Sequence, residues 1–215
     1  MSEQTVTAVQ PIDAWLETLA SDAATPGGGA VAAIGAATGA ALVAMIARLT
    51  VRRAGFEDVA GRMAEIVGEA DRERGDLLAL ADRDAEAFGA VMAAYRMPKD
   101  DEEQKAERLK ALQAGLEHAA EVPLLVARRA VYLMGLAEEA IAHGNPNAAS
   151  DGFSGAAILH AAALAALANV QINAFAFVDL TRRAELMDDC RRLRDRADQV
   201  LADADGAFTA RVQGQ

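Results

Sequence analysis

The stretch TPGGGAVAAIGAATGAALVAMIARLTV (residues 25–51) carries no charge before Arg48 and is built almost entirely from Gly, Ala and aliphatic residues. Beyond the glycine triplet this is a helical composition, long enough for about six turns. Three glycines in a row weaken any packed element, so their benefit lies in close approach or in positive φ. A helix starting at or just after Gly27, Gly28 and Gly29 turns its first unpaired amides, and the positive end of its dipole, outward. Such a junction can cradle an anion or a polar ring. It can equally be a hinge or tight turn, because Gly-Gly-Gly lacks the spacing of a dinucleotide or P-loop fingerprint. Gly35 and Gly39, flanked by Ala36 and Ala40, suit close helix–helix packing. The helix is too uncharged for a solvent face, so a homodimer is expected.

The rest of the chain extends this helical reading. Of 215 residues, 53% are hydrophobic and only 4% aromatic. Runs rich in Val, Ile, Thr and Tyr that would signal strands are absent, and one domain over residues 1–215 is expected, with 1–10 flexible. A formal charge of −11 repels nucleic acid and anionic membranes. Residues 23–47 and 152–178 are long enough to span a bilayer. The first is mostly weakly apolar Gly and Ala, and the second contains His160, Asn169, Gln171 and Asn173, so both are read as buried helices of a soluble protein. The first ten residues, MSEQTVTAVQ, do not resemble a secretory leader, and the single cysteine, Cys190, suits a reducing cytoplasm.

Periodicity predicts helices over 12–21, from Gly29 to about Val51, and over 57–95, with Gly55 as a breaker. Pro98 closes the third, and Asp100-Asp101-Glu102-Glu103 opens the next, with its stripe Leu109, Leu112, Leu116 and Ala119. Pro123 is read as the first turn of a further helix ending near His143-Gly144. Asn145-Pro146-Asn147 forms a turn, and Ser150 or Asp151 caps a long helix to about Leu180. Residues 181–212 form a charged terminal helix. The expected fold is all-α, a single-domain antiparallel bundle.

Asp84 is the sharpest chemical candidate. It shares a stripe with Leu77, Ala81, Phe88, Val91 and Tyr95, so its carboxyl is partly desolvated and its pKa raised, unless it pairs with Arg83 or an arginine of a neighbouring helix, or the helix is rotated to expose it. Asn145, Asn147, Ser150 and Asp151 crowd a turn ahead of a buried helix, which caps alone would also explain. Asn169 and Asn173 sit one turn apart on the least charged helix. Their amides need partners, either another helix or the edge of a heterocycle. No spacing of His, Cys and carboxylates resembles a metal site.

Five co-linear segments carry a resemblance: LASDAATPGGGAVAAIGAATGAALVAMIARLT (19–50), DAEAF (84–88), MPKDDEEQKAERLKALQAGLEHAAEVPL (97–124), GNPNAASD (144–151) and NVQIN (169–173). Together they resemble the cyclodeaminase/cyclohydrolase family. The resemblance implies an all-helical, dimeric, cytoplasmic enzyme of tetrahydrofolate one-carbon derivatives, with no metal and no cofactor beyond the folate. It implies a proton-transfer role for Asp84 and a folate pocket drawing on Gly27, Gly28, Gly29, Asn145, Asn147, Asp151, Asn169 and Asn173. Lys99 and Arg108 match a segment expected near the glutamate tail, or serve as surface ion pairs. Where many members carry Ser after the triplet, this chain has Ala30. Two reactions fit: hydrolysis of 5,10-methenyl-tetrahydrofolate to 10-formyl-tetrahydrofolate, and cyclodeamination of 5-formimino-tetrahydrofolate. A non-catalytic folate-binding protein is the third reading. With no formiminotransferase segment in the chain, the resemblance tips toward the hydrolase.

Overall fold

The computed structural model describes residues 7–214, and these contain helices and no strand. Six α-helices follow in order: α1 (Ile12–Leu19), α2 (Gly28–Val51), α3 (Glu57–Tyr95), α4 (Glu102–His143), α5 (Ala149–Ala174) and α6 (Leu180–Gln213). Of the segment expected to be flexible, residues 1–6 lie outside the described residues. Thr7–Val9 form a 3-10 turn, and the Thr7 amide donates to Asp82 Oδ1 at 3.0 Å.

Helices α2, α3, α4 and α5 form a ring in which each packs on the next, and α6 lies across α4 and α5. Small residues set the spacing. A Cβ added at Gly39 would lie 2.5 Å from Leu159 Cγ, and one at Gly155 3.1 Å from Leu42 Cβ, so α2 and α5 approach almost backbone to backbone. The Gly35/Gly39 stripe is therefore used inside the chain, between α2 and α5. Outside the core, Arg62 of α3 forms a two-pronged ion pair with Glu139 of α4, at 2.8 and 2.9 Å. Arg182 ties α6 to Glu117 of α4.

Three expectations from the sequence are corrected. Pro123 does not open a new helix; it lies inside α4, which runs unbroken past it. A proline there leaves the carbonyl four residues earlier without its helical N–H. That carbonyl belongs to Ala119, and Asn173 Nδ2 of α5 donates to it at 2.9 Å. The neighbouring helix thus supplies the missing donor. Second, Ser150 and Asp151 lie within the first turn of α5 and do not cap it. The N-cap of α5 is Ala148, which has no capping side chain; Asn145 caps the 3-10 turn Pro146–Ala148 ahead of it, its Oδ1 accepting from the Asn147 amide at 3.0 Å. Third, α5 stops at Ala174, short of residue 180. Gln113 of α4 grips the chain beyond it, donating to the Ala176 carbonyl and accepting from the Val178 amide. Asp179 Oδ1 then accepts from the Thr181 and Arg182 amides and starts α6.

The proline lock has a measurable consequence. Asn173→Ala is expected to destabilise the fold by about 1–3 kcal/mol, because it orphans the Ala119 carbonyl. Adding Pro123→Ala, which restores the N–H, is expected to recover most of that loss. Chemical denaturation of the two single variants and the double variant checks this, and a double variant no more stable than Asn173→Ala would refute the lock.

Candidate active site

The N-terminus of α2 abuts the middle of α3. Gly27 stands at the N-cap and carries no side chain to satisfy the first amides. Asp84, projecting from α3, takes that place. A Cβ on Gly29 would lie 2.5 Å from Asp84 Cγ, inside the carboxyl, so only glycine admits this approach. Gly28 is shaped by a second neighbour, since its Cβ would meet Asn169 Nδ2 at 3.1 Å. Gly27 has φ −127° and open space where a Cβ would stand. None of the triplet needs a positive φ, so close approach explains two of the three glycines.

Asp84 experiences two opposed influences. Burial pushes its carboxyl above the ordinary aspartate range and is the larger effect. The Ala30 backbone N–H, in the first turn of α2, favours the charged form and limits the rise. Among the described residues no cation pairs with it, so the ion-pair alternative does not hold. Asp82, two residues away, faces the Thr7 amide instead.

A cavity of about 410 Å³ opens beside the carboxyl. That is the size of a small-molecule site. Asp84, the three glycines, Asn169 and Asn173 all line it, and Phe88, Val91, Met92, Leu116 and Ile172 give it apolar walls. Phe88 and Tyr95 belong to the same α3 stripe as Asp84, and both remain substantially exposed, at 38% and 46%. Thr25, Met92 and Ile172 are lining residues that the sequence reading missed. Thr25 precedes the Pro-Gly-Gly-Gly run, and Ile172 stands three residues after Asn169, so adjacency to recognised motifs was the available signal.

The remaining candidates lie elsewhere. Arg108 sits at the rim: its guanidinium lies 5.8 Å from the centre of the Tyr95 ring, and Nη2 donates to the Tyr95 carbonyl at 3.2 Å. Its Nε is buried without a partner. Lys99 is exposed in the α3–α4 connection. Asn145 is packed at the far end of α2, where its amide donates to Thr50 Oγ1 at 2.8 Å and its Oδ1 accepts from Arg53 at 2.6 Å. At ~1.5 Å per residue, the span from Gly29 to Thr50 is about 30 Å. Asn145, Asn147 and Asp151 therefore do not join Asp84 within one protomer. The buried turn is a structural knot joining α2, α4 and α5, closed by Arg211 of α6 on the Gly144 carbonyl.

Comparison with known proteins fixes the lineage. The sequence profile of the family described as Formiminotransferase-cyclodeaminase matches residues 11–192. The chain belongs to this family. Within the family it is 37% identical to a methenyltetrahydrofolate cyclohydrolase of Methylorubrum extorquens AM1, over 94% of each chain. It is 33% identical to the formimidoyltransferase-cyclodeaminase of Gallus gallus, covering 90% of this chain and 36% of that longer one. The crystal structure of a formiminotetrahydrofolate cyclodeaminase from Thermotoga maritima superposes with a TM-score of 0.86 at 30% identity, over 95% of this chain and 98% of that one. The formiminotransferase-cyclodeaminase family therefore supplies both the fold and a chemistry centred on folate derivatives.

The glycines separate by position. Gly29→Ala must displace Asp84 and is expected to lower turnover about a hundredfold. Gly27→Ala, at a φ that alanine tolerates, is expected to fold at least as stably as wild type. Equal turnover in Gly29→Ala and wild type, measured with a folate substrate, would show that the contact does not position Asp84.

Proposed function

We propose that this protein hydrolyses 5,10-methenyl-tetrahydrofolate to 10-formyl-tetrahydrofolate. The observation that carries this reading is one desolvated carboxyl, Asp84, held at the wall of a cavity with no cationic side chain on its lining. Such a site favours the cationic methenyl substrate electrostatically. Ionised Asp84 takes a proton from water as its oxygen bonds to the methenyl carbon. The bond from that carbon to nitrogen 5 then breaks as Asp84 returns the proton to nitrogen 5, and the remaining hydroxyl proton passes to solvent as the formyl C=O forms. The apolar walls hold the ring system, and Arg108 at the rim receives the glutamate carboxylates. The extent of similarity to the Methylorubrum cyclohydrolase supports this choice. We place the protein in the cytoplasm, acting without a cofactor beyond its folate substrate.

Cyclodeamination is the second reading, favoured by the likeness to the Thermotoga cyclodeaminase. There nitrogen 10 bonds to the formimino carbon and gives up its proton, the departing nitrogen gains one from Asp84, which is reprotonated by the proton nitrogen 10 released, and the carbon–nitrogen bond to ammonia breaks. Asp84 is then needed as an acid. The two readings predict opposite pH dependences. With a raised pKa, a base loses activity as pH falls through a value above the usual aspartate range, whereas an acid loses activity as pH rises through it. Decay of methenyl-tetrahydrofolate absorbance across pH tests the first, and ammonia release from the formimino substrate tests the second. Asp84→Asn is expected to fold normally, bind folate and lose turnover at least roughly a hundredfold. Undiminished turnover in this variant would remove Asp84 from the mechanism.

We also propose a homodimer formed through the outward faces of α2 and α5. Both helices are long and apolar enough to cross a membrane by length and composition alone, yet 61% of the most apolar window of α2 and 44% of that of α5 are buried within the bundle. What stays exposed on them includes Val31, Thr38, Leu49, Ala161, Ala168 and Ile172, without a charged group among these. Antiparallel packing of two copies on this face sets the Asn145 end of one beside the Asp84 end of the other. In our reading Asn145, Asn147 and Asp151 reach ligand in that way. Light scattering is expected to give a dimer for wild type and a monomer for Ala161→Arg; a monomeric wild type would refute the proposal.

A further inference from the structure

The two asparagines of the cavity have fixed orientations. Asn169 Nδ2 donates to the Ala165 carbonyl at 2.9 Å, and Asn173 Nδ2 donates to the carbonyls of Ala119 and Asn169, both at 2.9 Å. A carbonyl accepts and cannot donate, so neither amide can flip without losing these bonds. Each Oδ1 is left without a hydrogen-bond donor among the described residues, and neither is sealed from solvent. Both residues line the cavity. Beside them stands Asp84, whose ionised carboxylate also only accepts. On the α5 side of the cavity the two Asn oxygens thus stand as acceptors about 5–6 Å apart, while Thr25 and the Gly28 and Gly29 backbone line the α2 side.

We propose that Asn169 and Asn173 are the specificity-determining residues for the reduced pterin ring, accepting hydrogen bonds from its ring N8–H and 2-amino group. The assignment rests on the folate reading above and names which edge of the substrate enters first. An oxidised pterin carries an unprotonated N8, which would set acceptor against acceptor. The site thus distinguishes the tetrahydro form from the oxidised form through orientation alone, and Pro123 participates at one remove. By withholding an N–H from the Ala119 carbonyl, it holds the Asn173 amide group against α4 and its oxygen toward the ligand. Pro123 is a positioning residue.

The same proline separates the ligand role of Asn173 from its structural one. In Pro123→Ala the Ala119 carbonyl regains a helical donor, so Asn173→Ala on that background removes the ligand contact without orphaning the backbone. Calorimetry would compare 6-methyltetrahydropterin, 6-methylpterin and p-aminobenzoylglutamate. Wild type is expected to favour the tetrahydropterin over its oxidised counterpart by roughly tenfold or more, and Pro123→Ala, in which Asn173 Nδ2 keeps its bond to the Asn169 carbonyl, to retain part of that preference. The double variant is expected to lose roughly tenfold in tetrahydropterin affinity and most of that preference, with p-aminobenzoylglutamate binding changed by less than about twofold. With intact methenyl-tetrahydrofolate, KM rises and kcat changes little.

An unchanged tetrahydropterin affinity in the double variant overturns the assignment, as does an equal loss for all three fragments, which would signal a collapsed pocket. Wild-type protein that binds neither the fragments nor the intact methenyl compound refutes the folate reading, and this assignment with it. Binding of the intact compound together with an indifferent double variant refutes the assignment alone.

Discussion

The contact between the start of α2 and the Asp84 carboxyl organises the functional end of this molecule. A helix beginning with three glycines has no side chain with which to satisfy its own first amides, and a carboxylate buried on an apolar stripe has no counter-ion. Each deficiency is met by the other. The approach is possible only because Gly29 presents no Cβ to the carboxyl. Desolvation raises the proton affinity of Asp84, while the Ala30 amide keeps the charged form accessible. That balance suits the proton transfer proposed for Asp84, since a fully ion-paired aspartate would be held in its charged form.

A second compensation joins the opposite wall of the cavity to the bundle. Pro123 interrupts the hydrogen bonding of α4 without breaking the helix, and the donor that repairs it comes from Asn173 on α5. This ties α4 to α5 at the level of the cavity and fixes the amide that faces it. The polar lining is therefore held by backbone carbonyls, which move less readily than side-chain partners. Rigid placement of that kind costs little reorganisation when ligand arrives.

Much of this was legible in the sequence because helical periodicity is a local property. The bounds of α3 follow from Gly55 and Pro98, the desolvation of Asp84 follows from a stripe spaced three and four residues apart, and the Ala/Gly composition of α2 requires burial. What was not legible depends on contacts across the fold. A proline is most often read as the start of a helix, and the residue that accommodates Pro123 lies far along the chain on α5. The glycine triplet lines the cavity, but that two of its members are also required by the approach of Asp84 and Asn169 depends on residues distant in sequence. Asn145 and Asp151 were grouped with Asp84 because they share a family signature. Sequence order gives no indication that they stand at opposite ends of a helix about 30 Å long. Arg108, read as a possible ion pair, packs instead on the Tyr95 ring.

The two reactions associated with this family differ in what attacks and what departs, but they share their geometry. Both form or consume the same bridged carbon between nitrogen 5 and nitrogen 10, and both need one proton moved beside it. A site built from a single tunable carboxyl, apolar walls and fixed acceptors provides for that common part. In the reading proposed above, the apolar walls hold the ring and Asp84 is the one proton carrier beside the reacting carbon. Which reaction proceeds then depends on the substituent the ligand brings and on whether Asp84 meets it ionised or protonated. In the proposed chemistry, the balance between hydrolysis and deamination is therefore sensitive to the solvation of Asp84 as well as to the ligand, and Phe88 and Ile172, which share the cavity wall with it, are positions where a change in wetting would shift that balance without altering the fold.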